Sequence, residues 1–152
     1  MTDKSKKIED PVPPALDSAT SAEELIKAAL SKKGFDPVLM DLRKVTTLTD
    51  YFLIVSANSA KHVTAVGDAV MEHAKLLKLP RYSVEGIHQG NWALLDYGDI
   101  IVHIFQPSVR DFYDLEGLWS EAPRVAFSGE LAREIEAARQ TRDDESFSTY
   151  ED

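Results

Sequence analysis

The chain has 152 residues, 43% of them apolar and 28% charged, which suits one domain with a single core. It contains no cysteine, so disulfides, zinc-thiolate sites, iron-sulfur clusters and cysteine nucleophiles are excluded, and a reducing compartment is expected. Seventeen Lys and Arg against 26 Asp and Glu give a net charge of -9, which argues against a surface that coats nucleic-acid phosphate and for a basic protein partner.

Residues 1–20 carry Pro11, Pro13 and Pro14 among charged and small residues and are expected to form a flexible leader. They contain no apolar run that could form the core of a secretory signal. From Ser21 the spacing of Leu25, Ile26, Ala29 and Leu30 predicts a helix, with Ser21 as N-cap, Glu24 completing a capping box and Gly34 as the residue just past its end. Strands are expected over 37–42 and 51–56. The second is apolar on both faces, as a central strand covered on each side should be.

Ser59 or Asn58 caps the next helix, from about Ala60 to Leu79, with Val63, Val66, Val70, Ala74 and Leu77 as its stripe and Pro80 as its stop. Strands follow over 82–85, 92–96 and 100–105. The last two are joined through Asp96-Tyr97-Gly98-Asp99, where Gly98 supplies positive φ, so they must be antiparallel. The helix between the 51–56 and 82–85 strands has the length of a parallel crossover. The expected fold is therefore α/β (α+β), a mixed five-stranded sheet with flanking helices. A short helical stretch over 107–119 closes a domain of residues 21–120, and residues 121–152 form an acidic, partly helical or disordered tail. The longest apolar run, Ile100–Phe105 with His103 inside it, is far shorter than the roughly 20 residues of a membrane helix, so a soluble, cytoplasmic protein without membrane association is expected.

A search for catalytic chemistry yields no complete constellation. His62 and His73 lie on one helix but about 16 Å apart, too far to share a metal. His103 reads as a hydrogen-bonded sheet histidine and His88 as a loop residue. Asp96 and Asp99 suit a turn and match no metal motif, and Ser56-Ala57-Asn58-Ser59 lacks the glycines and lysine of a phosphate loop. No catalytic residue, cofactor or metal is assigned.

The charge is unevenly spread. Residues 84–119 hold Glu85, Asp96, Asp99, Asp111, Asp114 and Glu116 against Arg110 alone, and residues 121–152 hold nine acidic groups against four basic ones. The first block also carries Trp92, Tyr97, Phe105, Phe112, Tyr113 and Trp119. Alternation places Trp92, Leu94 and Asp96 on one face of their strand and Ala93, Leu95 and Tyr97 on the other. Trp92 and Trp119 either plug edges of the core or anchor a partner, and carboxylates around such anchors select a basic protein.

Five runs, in order, carry a further signal: Thr49–Ser56 (TDYFLIVS), Asn58–Val63 (NSAKHV), Glu85-Gly86, Trp92–Phe105 (WALLDYGDIIVHIF) and Arg110–Trp119 (RDFYDLEGLW). Over residues 22–120 the chain closely resembles the ribosomal silencing factor family, also called Iojap-like. The resemblance implies a non-enzymatic translational repressor that binds the large ribosomal subunit through its fourteenth ribosomal protein and blocks joining with the small subunit, above all in starvation or stationary phase. It also implies a nucleotidyltransferase-like topology without that fold's active-site carboxylates, and a homodimer when free. Ribosomal RNA enters only as a neighbour. Carried onto this sequence, the binding face consists of Trp92 as anchor, Leu94 and Tyr97 as apolar contacts, and Asp96 and Asp99 as partners for Lys or Arg, with Arg110, Tyr113 and Asp114 completing the set. The competing reading is a nucleotidyltransferase-like enzyme or nucleotide-binding relic using Asp96 and Asp99 with magnesium. It rests on fold analogy alone.

Overall fold

The computed structural model describes residues 17–151, with the backbone alone for 144–151. In chain order the elements are α1 (Ser18–Ser31), β1 (Phe35–Asp41), β2 (Tyr51–Ser56), α2 (Ala60–Leu76), β3 (Ser83–Glu85), β4 (Trp92–Asp96), β5 (Ile100–Phe105), α3 (Pro107–Tyr113), α4 (Leu115–Leu118) and α5 (Gly129–Glu151). The sheet order is β1-β2-β5-β4-β3. The β2–β5 pair at its centre is parallel and every other pairing is antiparallel, so the sheet is mixed as expected.

All six residues of β2 and all six of β5 are buried, because these central strands are covered on both faces. Leu53, Val55, Val102 and Ile104 point to a main core closed by Leu25 and Ile26 of α1, Val63, Val66 and Val70 of α2, and Leu131 and Ile135 of α5. Phe52, Ile54, Ile101 and Phe105 point to a second, smaller cluster with Met40, Leu42 and Ala122. Each large side chain so buried stabilises the fold by roughly 1.5–3 kcal/mol relative to exposure. The two sides differ in cover: three long helices lie over the first, whereas α3, α4 and the 42–45 loop cover the second and leave the β4 end only partly shielded.

Several local expectations are corrected. Asp17, not Ser21, caps α1: its Oδ1 accepts the Thr20 N–H at 2.8 Å, while Ser21 is buried one turn further in. Residues 17–20 of the expected leader thus form a cap and first turn, and residues 1–16 lie outside the described residues. At the other end of α1, Lys33 (φ 68°) takes the left-handed position assigned to Gly34. Gly34 follows it, donating its N–H to the Ala29 carbonyl at 2.9 Å. The same 6→1 and 5→2 bonds end α2 at Leu76, with Lys78 left-handed (φ 61°), three residues short of Leu79. The 107–119 stretch is two helices, because Asp114 is left-handed (φ 46°) and its side chain caps α4 through the Gly117 N–H.

The α2 crossover joins strands that run in the same direction but are not neighbours, since β5 and β4 lie between β2 and β3. Residues 121–143 pack onto the body: Arg124 bridges Met40 at the outer edge of β1, and Leu131 and Ile135 are buried.

Candidate protein-binding face

The hairpin β4–β5 turns on Gly98-Asp99, closed by the Tyr97 N–H donating to the Ile100 carbonyl at 2.9 Å. Gly98 has φ 82° and Asp99 is not left-handed, the pattern of a turn with positive φ at its first central residue. Asp96 Oδ1 accepts the Gly98 N–H at 2.8 Å and stiffens the turn. That turn fixes the register Trp92↔Phe105, Leu94↔His103, Asp96↔Ile101 and so places Trp92, Leu94 and Asp96 in one row on the thinly covered side. All three are half-buried.

Trp92 lies at the centre of an aromatic cluster. Its ring stacks on Phe105 (4.9 Å between centroids, 30°) and meets Tyr113 of α3 at 4.8 Å. Tyr113 in turn meets Phe112 edge-to-face at 5.1 Å. Phe112 is 80% exposed and Tyr113 50%, and together with Trp92, Val109 and Asn91 they line an open cleft of about 510 Å³. Leu118 of α4 is also exposed, at 73%. Exposed apolar rings of this size, gathered beside a partly open sheet face, make this the candidate docking patch.

The charge around it is negative. Glu85, Asp99, Asp111 and Asp114 are exposed and Asp96 is half-buried, and among the described residues none of the five forms an ion pair. Glu116, by contrast, is engaged by Arg110, whose guanidinium holds its carboxyl below the usual range against the opposing effect of burial.

Two nominated residues are corrected. Tyr97 follows the alternation of β4 onto the opposite side, where it is buried in the main core with Ala93 and Leu95, so it offers no surface. Arg110 is 9% exposed and its guanidinium is spent internally: Nε and Nη2 donate to Glu116, and Nη1 donates to the Asp36 carbonyl and the Ser56 hydroxyl. Trp92, Leu94, Asp96 and Tyr113 come together, Asp99 marks the exposed hairpin tip, and Asp114 stands exposed at the α3–α4 junction. Trp119 packs edge-to-face on Phe52 at 5.8 Å and belongs to the second cluster. Phe112 of α3 and Leu118 of α4 are exposed beside this face and stand outside the set that the resemblance assigns.

His103 is 3% exposed, and burial alone pushes it down to about 4 from 6.5. Its Nδ1 accepts the Trp92 indole N–H at 3.1 Å. In the unfolded chain the imidazole binds a proton below about 6.5, and in the folded one only below about 4. Stability is therefore fully present above 6.5 and is lost as pH falls toward 4. At about 1.4 kcal/mol per pH unit the loss approaches roughly 3 kcal/mol. Urea unfolding of the parent and of His103→Leu at pH 7, 6, 5 and 4.5 should show a falling midpoint in the parent and a flatter dependence in the variant. Parallel curves would contradict the assignment.

Among the described residues no three His, Asp or Glu side chains are placed to hold a metal ion. Among the same residues no helix is long and apolar enough to cross a membrane.

Comparison with known proteins places this geometry in context. The family profile described as "Ribosomal silencing factor during starvation" matches residues 15–152, beyond the 22–120 that carry the resemblance. A protein of Halalkalibacterium halodurans named "Ribosomal silencing factor RsfS" is 33% identical over 116 residues, 74% of this chain and 99% of that one. A mouse protein named "Mitochondrial assembly of ribosomal large subunit protein 1" is 35% identical over 75 residues, covering 47% of this chain and 33% of its own length. The crystal structure of a Chromobacterium violaceum protein superposes with a TM-score of 0.68 at 30% identity, covering 75% of this chain and 94% of that one.

Proposed function

Because the chain belongs to the ribosomal silencing factor family, we propose that it binds the large ribosomal subunit and lowers translation by occupancy rather than by catalysis. The observation that carries this reading is the row Trp92, Leu94, Asp96: a half-open sheet face headed by a stacked tryptophan, with carboxylates around it that form no ion pair among the described residues. A face of that kind fits a basic protein. The fourteenth protein of the large subunit is the proposed partner, with Trp92, Leu94 and Tyr113 as apolar contacts and Asp96, Asp99 and Asp114 receiving Lys or Arg. A folded body seated where the small subunit docks prevents joining by excluded volume. In the same reading the chain acts in the cytoplasm and the free chain is a homodimer.

Sucrose-gradient sedimentation tests the proposal. The full chain, added to separated subunits, should travel with the large subunit and reduce the joined peak. A chain that stays at the top of the gradient while joining proceeds unchanged would refute it. Because the attraction is between opposite charges on exposed side chains, association should weaken as ionic strength rises from 50 to 300 mM, values chosen to span roughly 14 to 6 Å of Debye length.

A further inference from the structure

The second side of the sheet is apolar inside apart from the Ser56–Arg110 pair at the end of β2 and one histidine on β5. On β5, Ile101 and Phe105 flank His103, whose ring lies 4.7 Å from Phe52, 5.9 Å from Trp92 and 6.1 Å from Phe105. Its Nε2 is buried and, among the described residues, has no hydrogen-bond partner. A buried donor left unpaired is a cost that a phenyl or aliphatic side chain in the same place would not carry. What the imidazole supplies and those cannot is an acceptor, and its Nδ1 stands 3.1 Å from the Trp92 indole Nε1. With Nδ1 accepting, the proton of the neutral ring resides on Nε2, so the orphaned donor follows from the bond to Trp92.

We propose that His103 is the positioning residue of the docking face, holding the Trp92 indole with its N–H turned into the sheet so that a partner meets only the carbon surface of the ring. The proposal rests on the reading of Trp92 as a contact and adds the chemistry of what it accepts. Stacking on Phe105 and contact with Tyr113 fix the plane of the ring, but a plane alone leaves the indole free to turn end over end. The hydrogen bond removes that choice. A partner group that needs the indole N–H, such as a backbone carbonyl or a carboxylate, finds it already spent. The aliphatic stems of Lys and Arg and the flat guanidinium find an apolar ring, and Asp96, beyond Leu94 in the same row, offers a carboxylate to a second basic side chain.

The test uses the full chain in a Trp119→Phe background, which leaves Trp92 as the single tryptophan of the two in the sequence. His103→Phe removes the acceptor and keeps the ring. His103→Asn keeps an oxygen acceptor at the δ position. The measurements are the ¹H–¹⁵N signal of the Trp92 indole, its exchange with solvent, and affinity for purified large subunits. The parent and His103→Asn should show one slowly exchanging indole signal. His103→Phe should lose that protection and bind roughly tenfold more weakly, the effect of about one lost hydrogen bond, at an unchanged or higher urea midpoint. Weaker binding at a preserved midpoint separates positioning from a merely structural role. Parent-like affinity in His103→Phe, with binding lost in Trp92→Ala, overturns the positioning and leaves the contact reading standing. Undiminished binding in Trp92→Ala overturns both. If His103→Phe does not fold, the parent decides alone, since fast solvent exchange of its indole N–H means the bond is not made.

Discussion

Replacing Arg110 by methionine is expected to destabilise the protein by about 2–4 kcal/mol, from the charge-assisted hydrogen bonds lost by the half-buried Glu116 and by the Asp36 carbonyl and Ser56 hydroxyl. Nε and Nη2 of Arg110 donate to the two oxygens of Glu116 at 3.0 and 3.1 Å, a bidentate pair whose side chains are 10% and 19% exposed. Nη1 donates to the Asp36 carbonyl and to Ser56 Oγ, both at 2.8 Å. One side chain thus ties α3 to α4, to the irregularity in β1 where Asp36 is left-handed, and to the end of β2. Without it Glu116 faces only Arg124, at 3.8 Å on the surface. Urea unfolding at pH 7 should show the loss, and the double variant Arg110→Met with Glu116→Met should recover much of it, because no lone charge remains. Glu116 titrates below its usual range in the fold, so this contribution is present at neutral pH and disappears as pH falls through that depressed value. A change below about 1 kcal/mol in the single variant would show that the network does not couple these elements.

Replacing Trp92 by alanine is expected to weaken association with the large subunit by about 2–4 kcal/mol, 30- to 1,000-fold in Kd. The side chain combines what an interface anchor needs: a large apolar surface, half exposure and an orientation already set by Phe105, Tyr113 and His103 before any partner arrives. Trp119→Ala provides the contrast. That ring packs against Phe52 in the second cluster, so its loss should lower the unfolding midpoint while affinity, corrected for the folded fraction, changes little. Equal losses of affinity in both variants would indicate that the whole α3–α4 side, rather than the Trp92 row, makes the contact.

The sequence was most legible where the pattern is set by burial. The 92–96 and 100–105 strands carry their expected bounds because the Gly98 turn marks where they meet, and β2 declared itself central by being apolar on both faces. Helix ends were less legible, because Lys33 and Lys78 adopt the left-handed conformation that a reader of sequence reserves for glycine, at a cost repaid by the hydrogen bonds of the cap. Asp114 hides the α3–α4 break in the same way. The helix over 60–76 announced a crossover, but which strands lie between its ends depends on non-local pairing that no local window contains.

The site was readable in part. Alternation along β4 already separated Tyr97 from Trp92, and the resemblance that nominated both carried no information on faces. The resemblance put Arg110 on the binding face, and the partners that hold it inside lie 6, 54 and 74 residues away in sequence, beyond any local window. The Trp92–His103 pair could have been found from sequence, since a two-residue turn at Gly98-Asp99 sets Leu94 opposite His103 and brings Trp92 within one diagonal.

We propose that the Trp92 side of the sheet, and no other, docks on a basic protein of the large subunit. An electron cryomicroscopy map of the full chain bound to purified large subunits measures that directly. In that map β4, α3 and the Gly98-Asp99 tip should face the fourteenth ribosomal protein, with Trp92 buried in the contact, while α1 and α2 face solvent. A map in which α1 and α2 make the contact and Trp92 remains open to solvent would contradict it.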